Sequence, residues 1–398
     1  MTEPVVSANP ASLTPRRSYS AQVLREVFLR WGARVGLAWI LVLVAVAVFS
    51  PFLATSHPLL LSAGGRLLSP ALRHLTPGDV TIMVVFLAFV GVLFWQRSFQ
   101  RRLLVVLGAL VVGAAVSYSF ISPPSLVIYE QYREAQAAGQ YDWVWRAPIP
   151  YSPKDYLRDF GDTGLEAPLG SDDRRHWLGT EENGADVLSR MIHASRIALA
   201  IGFIATGIAL IIGVIIGGLM GYFSGIVDII GMRLVEIFEA IPTLFLLLTF
   251  VAFFGRSLYM MMIIIGITSW SGYARYVRAE FLKLRQQEYV QAAVACGLPL
   301  RSILFRHMLP NGAAPILVAA SFGVASAILA EATLSFLGLG LVDDPSWGQM
   351  LNQAVQSSTF NWWMAAFPGG AIFLTVFAYN LLGESLRDAL DPHLKKNV

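Results

Sequence analysis

Six histidines, His57, His74, His176, His193, His307 and His393, are scattered along the 398-residue chain. None sits in a His-Glu-x-x-His or comparable ligand spacing, so no metal-centred chemistry is expected. Cys296 is the single cysteine, which excludes an internal disulfide and any cluster of cysteine ligands. A phosphate-binding loop needs Gly-x-x-x-x-Gly-Lys followed by Ser or Thr. The chain has only Lys154, Lys283, Lys395 and Lys396, and none follows such a pattern. The sequence therefore predicts no catalytic residue, no metal, and no cofactor bound by this chain. Net charge is only +3, which by itself says nothing about nucleic acid; its distribution along the chain informs, and no nucleic-acid partner is expected.

The residues whose types and spacing do suggest a function form one stretch. It runs Glu288-Tyr-Val-Gln-Ala-Ala-Val-Ala-Cys-Gly297, then Leu298-Pro-Leu-Arg-Ser-Ile-Leu-Phe-Arg-His-Met-Leu-Pro310-Asn311. The spacing predicts two short helices. Gly297 can take the left-handed conformation that ends the first, and Pro299 follows where proline commonly follows such an end. Leu300–Met308 starts the second helix, and Pro310 marks entry to the next apolar run. The pair Ala292 and Ala293 beside a hinge glycine has two readings. One is a hairpin that merely links two runs. The other is a small apolar knob that wants a groove on another protein.

The elements that must carry this hairpin lie in a membrane. Hydrophobic residues make up 56% of the chain and charged residues 14%, with a mean hydropathy of +0.60. A soluble domain is nearer 45–50% and about 25%. Eight apolar runs are predicted to span: Val35–Leu53, Val80–Trp95, Leu103–Ile121, Ile197–Phe223, Ile237–Gly255, Leu258–Gly272, Pro315–Leu334 and Met364–Leu382. Val80–Trp95 and Leu258–Gly272 are short against the roughly 20 residues a span needs. Gly217, Gly218 and Gly221 suit close helix packing. With the N-terminus inside, most of the 29 Lys and Arg fall on cytoplasmic segments, and both termini are cytoplasmic. The expected division is a tail 1–34, a first span 35–53, an inserted region 54–121 with a helical hairpin, an external segment 122–196, a five-span core 197–382 with a cytoplasmic loop 273–314, and a tail 383–398. The Ser-, Pro- and Ala-rich N-terminal tail is expected to be disordered.

Other positions carry local expectations. Val187, Leu188, Met191 and Ile192 recur at helical spacing with Arg190 and Arg196 opposite, which predicts an amphipathic helix over Asp186–Arg196 lying at the outer interface. Pro242 is expected at a first turn or a kink. Arg233 and Glu236 have the spacing of a surface ion pair. Glu331 is the one carboxylate clearly inside an apolar run. At such depth it either meets substrate or holds a helix break. Trp143 and Trp145 are poor choices for a bare linker, so the external segment is expected to be ordered.

The stretch 288–311 resembles the coupling loop of ATP-binding-cassette importer permeases, in the form used by the peptide and nickel branch. Gln291-Ala-Ala-x-x-x-Gly297 and Leu309-Pro310 carry the likeness. Gln291 stands where the general pattern has glutamate. His307 replaces an isoleucine, as is usual in the peptide branch. Four further stretches resemble the same branch in the same order: Trp177–Arg190 (with Ala185 for the usual arginine), Gly221–Leu244, Glu331–Leu351 and Gly383–Pro392. The pattern is most similar to the C/E-type subunit of oligopeptide and microcin permeases. That family has six spans, so the second and third runs look like an added hairpin.

The resemblance implies an all-α polytopic permease subunit of the bacterial inner membrane, not an enzyme, forming half of a peptide pathway. Its implied partners are a second homologous permease, two ATPase subunits carrying ATP and Mg2+, an extracytoplasmic solute-binding protein and membrane lipids. The implied coupling residues are Glu288, Gln291, Ala292, Ala293, Gly297, Arg301, His307, Leu309 and Pro310. Glu331, Trp347, Trp143 and Trp145 are implied pathway or binding-protein contacts. Nickel or another small solute is the alternative cargo. A membrane-embedded enzyme would need convergent catalytic groups, and a secondary carrier polar residues in several spans or inverted repeats; neither pattern is present.

Overall fold

The computed structural model describes residues 25–95, 98–124, 127–157, 164–170, 176–341, 344–359 and 361–390. The expectation of a disordered tail falls largely on 1–24, outside the described residues, as do 391–398. In chain order the elements are α1 (Trp31–Leu53), β1 (Leu60–Ala63), β2 (Arg66–Leu68), α2 (Pro70–Arg73), α3 (Pro77–Leu93), α4 (Phe99–Phe120), α5 (Gln131–Ala137) and β3 (Trp143–Trp145). They continue with α6 (Val187–Phe223), α7 (Gly225–Ala240), α8 (Thr243–Phe254), α9 (Leu258–Thr268), α10 (Trp270–Arg285), α11 (Glu288–Ala295) and α12 (Leu300–Ser302). A π-helical stretch Ile303–Met308 leads into α13 (Leu309–Leu334), and a second, Ser335–Leu339, follows it. Then come α14 (Trp347–Gln356) and α15 (Trp362–Leu390).

Among the described residues, five helices are long and apolar enough to cross a membrane: Trp31–Leu53, Gln100–Phe120, Val187–Phe223, Leu300–Leu339 and Trp362–Leu390. A sixth crossing arises if α7 and α8, bent by 82° at their junction, count as one. The bend falls at Ile241-Pro242, because proline cannot donate to the preceding turn. The predicted run Ile237–Gly255 is therefore split. Its first residues belong to the amphipathic α7, and α8 is only 12 residues long. The two runs expected to be short are the helices Pro77–Leu93 and Leu258–Thr268, both below span length.

The core is built by α6 crossing the whole bundle. It packs against α10 where Gly217 and Gly221 remove side chains. A Cβ at Gly217 would lie 2.3 Å from the Ala274 carbonyl oxygen, so only glycine permits this approach. Ile40, Leu43 and Ala47 of α1, Ala194 and Ala198 of α6, Val324 and Ile328 of α13, and Ala371 and Ala378 of α15 form the largest apolar cluster. Helices α3 and α4 pack chiefly on each other and touch the bundle through α1. Arg196 of α6 bonds to Asp79 at the head of α3 and to the Ala47 carbonyl, at 2.6 Å for the latter, which ties the added hairpin to the core.

Two expectations are corrected here. The segment Asp186–Arg196 is not a separate interfacial helix. It is the first part of the continuous 37-residue α6, with Asp186 as its N-cap accepting from Ser189 N at 2.7 Å. Its arginines do not face solvent. Arg190 is buried against Glu181, and Arg196 is half-buried against Asp79. The second concerns the hydrophilic end. Leu60–Ala63 pairs with both Arg66–Leu68 and Trp143–Trp145 in an antiparallel sheet of order β2-β1-β3. The described residues of 54–76 and 122–186 thus build one end together, where a short sheet supplements the helical membrane bundle.

Candidate coupling hairpin and the opposite face

The end of the bundle away from the sheet carries the stretch singled out in the sequence. Helix α10 ends at Arg285, whose Nη1 donates to Ser224 Oγ at 2.6 Å across the α6–α7 turn. Helix α11 follows after two residues and ends at Gly297, whose φ is +69°. Gly297 N donates to Val294 O at 2.9 Å and Leu298 N to Ala293 O at 3.2 Å, which closes the helix end. No atom lies within 4 Å of a Cβ built at Gly297, so the glycine is required by conformation and not by crowding.

The hairpin has an inner and an outer face. Val290, Ala293, Ile303, Leu304 and Met308 are buried with Val277, Phe281 and Leu284 of α10. Ala292, Gln291, Glu288 and Arg301 are exposed, beside exposed Tyr289, Val294, Leu298, Leu300 and Phe305. His307 and Leu309 are half-buried and Pro310, in the first turn of α13, is exposed. The alanine pair is thereby separated. Ala292 is on the outer surface, whereas Ala293 packs into the protein's own core. Gln291 Nε2 donates to Gln286 O at 3.4 Å, a neutral bond back to the preceding turn.

At the other end, Glu331 is 2% exposed and accepts from Ser335 Oγ at 2.6 Å, next to the π-helical break at Ser335–Leu339. The bond ties Glu331 to the first residue of that break. Trp347 is 3% exposed in the largest apolar cluster, and its Nε1 donates to Met191 O at 3.2 Å. It is an internal anchor between α14 and α6, with no surface for a partner. Trp143 and Trp145 are exposed on β3, at 46% and 62%. Sequence reasoning missed the polar core beneath them. Arg133 bonds to Asp155 at 2.7 Å and Glu130 at 2.8 Å. His57 stacks on His74 with ring centroids 3.7 Å apart. Buried His176 meets Asp186 at 2.9 Å through Nδ1. The signal, in hindsight, was polar residues lying in loops that had to be covered.

Residues 213–396 match the family described as the binding-protein-dependent transport system inner membrane component. The dipeptide transport system permease protein of Alkalihalophilus pseudofirmus is 38% identical over 62% of this chain and 81% of its own length. This chain is a permease subunit of that family. The oligopeptide transport system permease protein of Haemophilus influenzae is 39% identical over 62% of this chain and 78% of its own length. The glutathione transport system permease protein of Pectobacterium atrosepticum is 40% identical over 62% and 80%. The permease is accordingly a multi-pass inner-membrane protein of an ATP-binding-cassette importer. The family match contains the whole hairpin 286–310 and Glu331. It begins inside α6, after the sheet, α3 and α4.

Proposed function

We propose that this permease forms half of a pathway for peptide uptake and couples it to ATP hydrolysis on partner subunits. The names of its relatives support peptides as cargo, with nickel or another small solute as the alternative. The partners would be a second homologous permease, two ATPase subunits holding ATP and Mg2+, and an extracytoplasmic solute-binding protein. The hairpin end would face the cytoplasm together with both termini, and the sheet end would face the binding protein.

The observation that carries this reading is the outer face of α11. Ala292 and Val294 exposed on α11, with Leu298 and Phe305 exposed just beyond it, on a hairpin fixed to α10 and α13 by a buried inner face, suit a rigid contact with another protein. Glu288, Gln291, Ala292, Gly297, Arg301, His307, Leu309 and Pro310 would form or orient that contact. Ala293 would support it from beneath. A push on the hairpin reaches α10 and α13 directly, because they share its apolar cluster. The test is reconstitution of the permease with its partner subunits in proteoliposomes. Uptake of a labelled tripeptide should require ATP and the binding protein. ATP-independent uptake, or uptake without ATPase chains, would refute the assignment.

A further inference from the structure

The sheet end contains a cavity of about 410 Å³, bordered by Arg133, Gln136, Arg146, Pro150, Tyr151 and Leu157. The size suits a small-molecule group. Its two guanidinium groups are held very differently. Arg133 is matched by two carboxylates, Glu130 and Asp155. Asp155 also accepts from Ser56 Oγ, so its oxygens are committed. Among the described residues Arg146 has no ion-paired carboxylate. Its Nε and Nη2 donate to the same neutral acceptor, Gln136 Oε1, at 3.0 and 2.6 Å, and Nη2 also reaches Tyr132 O at 3.4 Å. Its Nη1 has no hydrogen-bond partner among the described residues.

A half-buried cation that faces only neutral acceptors is incompletely compensated. Burial, then repulsion from Arg133, lowers the Arg146 pKa, and the pull of Glu130 does not offset them. The amide of Gln136 adds to the donor set. Gln136 is exposed at the rim, its oxygen is taken by Arg146, and its NH2 is the remaining donor of that amide. One cationic N–H and one amide N–H at a cavity wall match a carboxylate, which accepts through two oxygens.

We propose that the Arg146 cavity binds the terminal carboxylate of a peptide, as a capture site on the added sheet region. The inference rests on the peptide-uptake reading for the identity of the ligand, and on the geometry alone for its chemistry. Arg146 supplies the charge and Gln136 the second donor. Arg133 and its two carboxylates hold α5 in place beneath them.

The test uses the assembled transporter in nanodiscs, titrated with trialanine and with trialanine amide. The free acid should bind at least tenfold more tightly than the amide. Arg146→Gln should bring that ratio close to one. Gln136→Glu, a near-isosteric change, supplies a carboxylate in place and should abolish the preference without removing the arginine. In uptake assays Arg146→Gln should raise KM for the acid and leave kcat unchanged. Equal binding of acid and amide by the unaltered protein, or a preference that survives both substitutions, overturns the proposal. If acid and amide bind alike while Arg146→Gln weakens association of the unliganded binding protein, the carboxylate is a protein side chain and the peptide assignment is overturned. ATP-driven uptake by the unaltered complex is read separately. Its loss refutes the peptide-importer reading, while its presence without carboxylate preference refutes only the capture site.

Discussion

Arg190 Nη1 donates to Glu181 Oε1 at 2.6 Å, and its Nη2 donates to Gln353 Oε1 at 3.1 Å. The arginine and the glutamate are both buried, at the head of α6. One guanidinium thus joins the loop before α6, the helix itself and α14. Removing one partner of a buried pair leaves an uncompensated charge and costs about 3–5 kcal/mol. Glu181→Ala should therefore lower the thermal midpoint of the purified complex markedly. The double variant Glu181→Leu with Arg190→Met should recover most of the loss. Thermal unfolding of all three separates charge burial from simple loss of contact.

The hairpin gives a second expectation. Gly297→Val forces a β-branched residue to positive φ and costs roughly 1–3 kcal/mol locally. Because the space around Gly297 is open, the effect should be a re-aimed α11 and not a collapsed one. Ala292→Trp should obstruct the outer face while leaving the core intact. Both variants should insert normally, then lose ATPase association or hydrolyse ATP without uptake. Ala293→Trp is a different experiment, since Ala293 is buried within the chain. It should destabilise the hairpin itself. Uptake and ATP hydrolysis measured on one preparation check all three.

The pH response of the sheet end should follow His57. Its pKa is lowered to about 4, first by burial, then by His74, with Asp155 opposing. Tyr129 and Tyr132 complete its surroundings. The folded state therefore resists a proton that the unfolded chain accepts near 6.5. Stability is full above about pH 6.5 and falls as pH drops toward 4, by up to about 3 kcal/mol. Hydrogen exchange of residues 54–76 should accelerate over that window. His57→Phe should flatten the response.

Trp145 is 62% exposed on β3. If this face receives the binding protein, Trp145→Ala should raise the binding-protein concentration for half-maximal ATPase stimulation roughly tenfold, as an interface aromatic does. Basal hydrolysis should not change. Deleting 142–162 would be less informative, because it also removes Asp155, which holds Ser56 and Arg133.

What was legible in the sequence was whatever depended on neighbours along the chain. Gly297 with Pro299 announced the turn, Pro242 the bend, and Gly217 with Gly221 the close helix contact. Arg233 and Glu236 pair at 2.5 Å, as their spacing suggested. What depended on distant partners was hidden. Strands of three and four residues carry no usable periodicity, and β1 finds β3 some eighty residues away. The same holds for Arg190 and Arg196. Local spacing set them on a polar face, but Glu181 and Asp79 arrive from other stretches and pair with them, burying Arg190 and half-burying Arg196. The resemblance implies Trp347 as a pathway or binding-protein contact, and its burial, supplied by α6 and α15, is not visible along the chain. Ala292 and Ala293 are adjacent in sequence and differ only in which side of α11 they occupy.

Helix α6 has 37 residues, which at 1.5 Å each makes a rod about 55 Å long. Its first turns are clamped by Glu181, Gln353 and Asp79, and its last turns lie against α10, which roots the hairpin. An uninterrupted helix of this kind would act as a lever joining the two ends of the bundle. A tilt of about 5° displaces one tip by about 5 Å relative to the other, close to a full helical turn. Events at the sheet and at the hairpin would then be felt at both ends as the swing of one beam.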